Sequence, residues 1–522
     1  MNEIYYIILL PITAGLLGFI LNRLRSELDF LGFFLAVYFS IRLFIATRTQ
    51  IISYSIATIA GIDLRFYLDS LSGLILLFNS IFAFLIWFYS LRAMSKMPKE
   101  KVYYLYIAIT LSAANGIVVC GNLLFLFLLW NILSFFLYGF LLVGKKESSW
   151  VARKATALIG TTDYLMMFGI VLLFVKHGGN INFPCEPRLG LDDPWFITSF
   201  VMITIGAITK AGAIPFHVWI PEAATVVPAS TMAFIPASIS RLLGIYMMVR
   251  LTYFIFDFSS SMLLKYVLMV IGVVTIIVAV VLAMAQKEAM KLLSFSTISQ
   301  VGYMILGIGT GVPVGVAGGL YHMINTTIAK VCLFLSIGSV EYRTKITQFE
   351  ELGGLKSKMP LTMLSFIVAA LAISDLPPLN GFYSKWMLYQ GVIELSKETN
   401  LWPIFLFAIM FGSVLTVVLF LKMINLIFLH ERPKKLNKVY EPRFEMVTTT
   451  LILALTCVIF GIFVNHFSLS KLIYPSLPFA VIRYDFWSPI LTASIIIFGI
   501  LFGVIVFLFD TKMLKETTKG AV

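Results

Sequence analysis

The chain has 522 residues, 60% of them hydrophobic and only 12% charged, with a mean hydropathy of +0.95. That composition excludes a soluble protein and defines a polytopic membrane protein. The net charge of +13 does not imply nucleic acid, because the basic residues lie mostly in short loops between apolar spans. The four cysteines are scattered and form no CxxC pair, so zinc, iron–sulfur clusters and other cofactors are not expected in this chain.

Hydropathy predicts an all-α fold of about fifteen transmembrane helices, each ~20 residues or longer. Their centres are 4–22, 28–46, 67–91, 102–120, 122–143, 152–175, 197–217, 228–250, 263–285, 291–310, 315–340, 360–393, 401–429, 446–465 and 486–509. The first stretch follows Glu3 rather than a basic region and reads as a retained helix, not a cleaved signal. An outside N-terminus puts the basic connections inside: Arg92 to Lys101, Lys145 to Lys154, Arg343 to Lys358, and Arg432 to Arg443. The opposite loops are poorer in cations, so the chain is expected in the cytoplasmic membrane with its N-terminus out and its C-terminus in.

Two of these spans are interrupted. Residues 206–222 read GAITKAGAIPFHVWIPE, with Lys210 inside the apolar run and Pro215 breaking it. Residues 371–386 read LAISDLPPLNGFYSKW, with Asp375 before Pro377–Pro378 and Lys385 after Gly381. A mid-span proline frees backbone carbonyls, which are tolerated only where protein or water satisfies them. The broken spans are the seventh and twelfth, each the fourth member of a five-helix unit. An odd number of helices inverts the second unit relative to the first, the plan of many transporters. The expected division is residues 1–100 for the first three helices, 101–250 for the first repeat, 263–429 for the inverted second repeat, and 446–522 for the C-terminal helices.

Ionisable groups within spans mark ion pathways or snorkel to an interface. Lys210 sits mid-span beside a break and is read as a proton-exchanging site. Lys385 is read the same way, or as a residue near the membrane edge. Asp375 is a partner for it or a cap of the resumed half-helix. His322, Thr326 and Lys330 stand at i, i+4, i+8 and form one polar stripe on the eleventh helix. His322 suits a relay or a satisfied structural histidine. Arg241 does not give up its proton and instead holds a carboxylate, shapes the field or bars cations. Asp69, Asp163, Glu222, His217 and Ser294 are read first as structurally paired. Asp163, Glu222 and His217 are kept as further candidates for the ion path.

Taken together, TKAGAIPFHVWIPEA at 209–223, MKLLSFSTISQVGYMILG at 290–307, the His322–Lys330 stripe and LPPLNGFYSKW at 376–386 make the chain resemble the Mrp-antiporter-like subunits. These are the proton-pumping membrane subunits of complex I, the subunits of Mrp sodium/proton antiporters, and their counterparts in archaeal membrane-bound hydrogenases and sulfane sulfur reductases. PASISRLLGIY at 236–246 is most similar to the hydrogenase-type members. The resemblance implies a fourteen-helix core with two half-channels, moving H⁺ or Na⁺ along a midplane chain of lysines, histidines and acids. Redox chemistry would occur in other subunits, alongside further antiporter-like subunits and lipid. It also implies a glutamate in the fifth helix as partner of Lys210, where this chain has Asn131. On that reading Lys210 lacks its carboxylate unless Asp163 supplies the charge, and Lys330 and Lys385 carry most of the transport.

The expected function is therefore a non-catalytic ion-translocating subunit of a redox-driven complex of the hydrogenase or sulfur reductase type. Its rivals are a subunit of a stand-alone Mrp Na⁺/H⁺ antiporter and a non-conducting structural linker.

Overall fold

The structure, a computed structural model, describes residues 2–481 apart from 60, 61, 96 and 180. The expected helix at 486–509 lies outside the described residues. From the N-terminus come α1 (Asn2–Ile20) and α2 (Arg25–Ala46), a hairpin of β1 (Ile52–Ile59) and β2 (Ile62–Leu68), then α3 (Ser70–Ala93), α4 (Glu100–Val119), α5 (Leu123–Leu142) and α6 (Ser148–Lys176). The seventh span is split into α7 (Pro194–Ala211) and α8 (Trp219–Val226). The eighth is α9 (Ala229–Phe234) and α10 (Ser240–Arg250), with π-helical turns at Ile235–Ile239 and Leu251–Ile255. Then follow α11 (Met262–Met284), α12 (Ala289–Gly309), α13 (Pro313–Thr344), the second split span α14 (Pro360–Ile373) and α15 (Asn380–Glu394), α16 (Trp402–Ile424) and α17 (Phe444–Ile462).

Thirteen of the described helices are long and apolar enough to cross a membrane, and α14–α15 adds a broken one. The chain is thus an all-α polytopic membrane protein whose seventh and twelfth spans are interrupted, as expected. The hairpin was not anticipated. Its signal was the alternation Ile52, Tyr54, Ile56 against Ser53, Ser55, Ala57, a period of two that a hydropathy window averages away.

Lipid-facing sides are apolar because nothing else is tolerated there. On α11, Leu263, Val267, Val270, Val274, Val278 and Val281 are exposed at helical spacing, and α16 presents Ile404, Phe407, Met410, Val414, Val418 and Leu421. By contrast α13 is buried without a gap from Val314 to Val340. It packs on α9, α12, α14, α15 and α17, so its polar stripe lies at the heart of the bundle. Asp69 caps α3 and forms a two-pronged ion pair with Arg250 at 2.6 Å per contact, joining the third and eighth spans. That is the structural pairing expected for Asp69.

The breaks themselves follow from local chemistry, with one correction. Pro215 does not end α7. Gly212, left-handed at φ 89°, ends it, and the Gly212 and Ala213 N–H groups both donate to the Ile208 carbonyl, at 2.9 and 3.2 Å. This glycine cap satisfies carbonyls that would otherwise be orphaned in the membrane, and it leaves Pro215 in the connecting loop. At the second break Asp375 takes φ 61°, a conformation aspartate tolerates better than most residues. The start of α15 has no side-chain cap; instead Asn325 on α13 and Asn380 clamp one another, amide to carbonyl, at 2.9 and 3.1 Å.

Gly381 lies so close to the end of α14 that an added Cβ would stand 1.8 Å from the Ala372 carbonyl oxygen. Gly381→Ala is therefore expected to destabilise the protein by about 1–3 kcal/mol, as overpacking does. A Cβ at Gly160 on α6 would meet nothing within 4 Å, and Gly160→Ala is expected to be neutral or stabilising by about 0.5–1 kcal/mol. Thermal unfolding of the detergent-purified protein checks both.

Candidate ion-pathway site

Two buried lysine–aspartate pairs stand at the two broken spans. Lys385, 0% exposed, is the sixth residue of the resumed half-helix α15. Its Nζ donates to Asp375 Oδ2 at 2.7 Å and to Ser413 Oγ of α16 at 3.2 Å. The ammonium also sits 4.3 Å from the centre of the Tyr303 ring. Tyr303 and Tyr389 hydroxyls both reach Ser413 Oγ, at 3.2 and 2.7 Å. So Lys385 is enclosed by the bundle, and Asp375 partners it rather than capping α15.

Lys210, 2% exposed, is the penultimate residue of α7, two before the glycine cap. Its Nζ hydrogen-bonds Ser134 Oγ on α5 and lies 3.8 Å from Asp163 Oδ2 on α6. Asp163 in turn accepts from Trp130 Nε1 at 2.9 Å and from Ser134 Oγ at 2.7 Å, and the Trp130 ring lies 4.8 Å below the ammonium. Here the structure corrects the sequence reading. Asn131 is exposed, and its amide donates to the Phe127 carbonyl of its own helix, one turn back. It does not face Lys210. The carboxylate comes from α6 instead of α5: Asp163, the alternative source of charge, supplies what the fifth helix lacks. Neighbours one residue apart on a helix point about 100° apart, which is why Trp130 and Ser134 face the lysine while Asn131 does not. A groove of about 450 Å³ between α5 and α6 is lined by Asn131, Ser134, Asp163 and Tyr164, and reaches the pair from the side.

The stripe on α13 connects to the second pair. His322 Nδ1 is 3.0 Å from Ser384 Oγ, next to Lys385, and Nε2 is 3.0 Å from Gln300 Oε1 on α12. Lys330 Nζ donates to Ser296 Oγ at 2.6 Å and lies 5.0 Å from the Phe420 ring centre. Thr326 turns its hydroxyl back to the His322 carbonyl at 2.6 Å, so it satisfies its own helix rather than extending the chain of groups. Ser384 donates its proton to the Gly381 carbonyl at 2.9 Å. A hydroxyl has one proton, so with this bond made Nδ1 must carry an N–H. Then either both ring nitrogens are protonated, or the Gln300 amide turns its NH₂ to the ring and Nε2 accepts. His322 thus has two proton arrangements that differ by one amide rotation.

The remaining candidates fall elsewhere. Glu222 pairs with Lys154 at 2.5 Å, and His217 lies half-buried in the loop after the first break, 6.3 Å ring to ring from Phe295. Ser294 donates to the Lys291 carbonyl of its own helix. Arg241 is wholly buried. Trp130, Ser134, Ser296, Gln300, Ser384 and Ser413 were missed. Ser296 and Gln300, at i and i+4 in SFSTISQ, were visible as a polar stripe, while Ser413 stands alone in an apolar span.

Residues 120–416, more than half of the chain, match the family described as NADH:quinone oxidoreductase/Mrp antiporter, TM. The chain belongs to this family and is an antiporter-like membrane subunit. It is similar to the Na(+)/H(+) antiporter subunit A1 of Staphylococcus haemolyticus, 28% identical over 500 residues, which cover 89% of this chain and 61% of that protein. A Staphylococcus aureus subunit A1 is 27% identical over 498 residues with the same coverage. The chain therefore spans about three fifths of the length of the curated relatives it matches. Among solved structures, a chain of the membrane-bound sulfane sulfur reductase, an archaeal respiratory membrane complex, superposes with TM-score 0.87 and 25% identity, covering 97% of this chain and 85% of that one. A chain of the Mrp complex of a Dietzia species gives TM-score 0.81 at 20% identity, covering 91% and 97%, and shares the fold. So does a chain of respiratory complex I from Thermus thermophilus, at 0.79 and 18%, covering 91% and 98%.

Asp163→Asn and Lys210→Ala are each expected to lower ion uptake into proteoliposomes roughly tenfold, about 1.4 kcal/mol of barrier. Asn131→Ala is expected to leave it near wild type. A full loss with Asn131→Ala would return the role to the fifth helix.

Proposed function

We propose that the chain translocates a cation, H⁺ or Na⁺, as one of several antiporter-like subunits of a redox-driven membrane complex of the hydrogenase or sulfur reductase type. The observation that carries this reading is the placement of both lysine–aspartate pairs at helix breaks. A buried pair that only stabilised the fold would gain little over apolar packing of the same volume. An intramembrane pair beside freed backbone is instead a place where a cation can be taken up and released. Protonation of Asp375 or Asp163 frees its lysine, and a sodium ion competes with the ammonium for the same carboxylate. His322, Gln300 and Ser384 extend the second pair towards the interior through groups whose protons can shift.

The seventh and twelfth spans are separated by four others, so they run in opposite directions if every span crosses once. This supports the division into repeats at 101–250 and 263–429. Electrons and the acceptor belong to other subunits on this reading. The chain lies in the cytoplasmic membrane with its N-terminus outside, on the strength of the basic connections. A stand-alone Na⁺/H⁺ antiporter is the second reading, favoured by the names of the curated relatives. The structural-linker reading loses half its ground, because Lys210 has Asp163.

Purification of the intact complex separates the first two readings: co-purifying redox subunits are expected, and their absence favours the antiporter. The double variant Lys210→Ala/Lys385→Ala should assemble and show ion uptake no higher than protein-free vesicles; uptake at the wild-type rate would refute translocation by this chain. Cysteine placed at position 435 should resist an impermeant thiol reagent in intact cells, and its labelling from outside would overturn the orientation.

A further inference from the structure

Arg241 presents a charge that the ion path does not account for. The side chain is 0% exposed, and all three guanidinium nitrogens lack a hydrogen-bond partner among the described residues. Its helix, α10, packs against α12 and α13, the helices that carry Gln300, His322 and Lys330. Asp375 is occupied by Lys385 at 2.7 Å. Asp163 is beside Lys210, and Asp69 is held by Arg250. Arg241 therefore has no counter-ion among the described residues. A lysine in that position can shed its proton, but a guanidinium cannot. Water can solvate the donors but does not neutralise the charge, and a buried unpaired charge is among the costliest groups a fold can hold. On α12, against which α10 packs, a further buried donor is unsatisfied: Gln300 Nε2, on the amide whose oxygen faces His322.

We propose that Arg241, with the Gln300 amide as a second donor, holds a small monovalent anion of the halide class between the eighth, tenth and eleventh spans. Guanidinium and amide N–H groups offer donors and no acceptor when Gln300 Oε1 is engaged, which matches an anion and excludes a cation. One negative charge balances the fixed positive one. A divalent oxyanion would overcompensate it and is costlier to strip of water. The binding itself does not depend on the transport reading.

The test uses radioactive chloride and the intact purified complex, equilibrated in chloride-free gluconate buffer. Wild type is expected to show saturable binding that bromide displaces and gluconate does not. Arg241→Gln is expected to bind one chloride fewer per copy of this chain, and Arg241→Lys to bind roughly tenfold more weakly, because a point charge replaces the planar fork. Gln300→Glu, nearly isosteric, supplies an internal carboxylate and is expected to expel the chloride; it keeps the test decisive if Arg241→Gln does not assemble. Absence of saturable binding in wild type would mean that water alone solvates Arg241. Unchanged binding in Arg241→Gln, or in Gln300→Glu, would place the anion elsewhere. Either result overturns the proposal.

Discussion

An ammonium group inside a bilayer persists only if it finds an anion, freed carbonyls or water, and the architecture of this protein is organised around that requirement. Each of the two broken spans is interrupted and carries a lysine close to one side of the break. Each lysine then meets an aspartate: Asp163 across the bundle on α6, and Asp375 in the break itself. Hydroxyls from neighbouring helices, Ser134 and Ser413, complete the shells. The rest of the fold serves these contacts. Apolar faces on α11 and α16 meet lipid, and the fully buried α13 holds the bundle around them.

The two sites use the same chemistry with different scaffolding. At Lys385 the carboxylate is local, ten residues away, and its left-handed backbone brings it under the resumed half-helix. At Lys210 the carboxylate belongs to another helix, and the serine hydroxyl links it to the ammonium. The first arrangement couples ion binding to the geometry of the break. The second couples it to the packing of α5 against α6 and to the groove between them. A shift of either helix pair changes how tightly the lysine is held, which is the minimum an ion-translocating element needs.

Much of this was legible in the sequence, because membrane insertion makes apolar length and charge position informative. Fourteen predicted spans coincide with described helices or broken helix pairs, and Lys210, Lys385, Lys330 and His322 all proved to be buried. What the sequence hid was direction. Asn131 stood where the family carries its acid, but a residue's place in a motif does not tell which way it faces, and here it turns outward. Asp163 was legible only as one possible source of the missing charge, because Lys210 is 47 positions away in sequence. Pro215 drew attention as the breaker, whereas Gly212 ends the helix by its positive φ. Thr326 fitted the stripe by spacing alone, and its hydroxyl bonds its own backbone.

The central claim is that each lysine and its aspartate act as one site. A double-mutant cycle on ion uptake, with Asp375→Asn, Lys385→Gln and the double variant reconstituted side by side, tests it most directly. If the pair is one site, the double variant loses no more uptake than the worse single variant. Losses that multiply would mean that the two residues act independently, and would contradict the ion-pair mechanism.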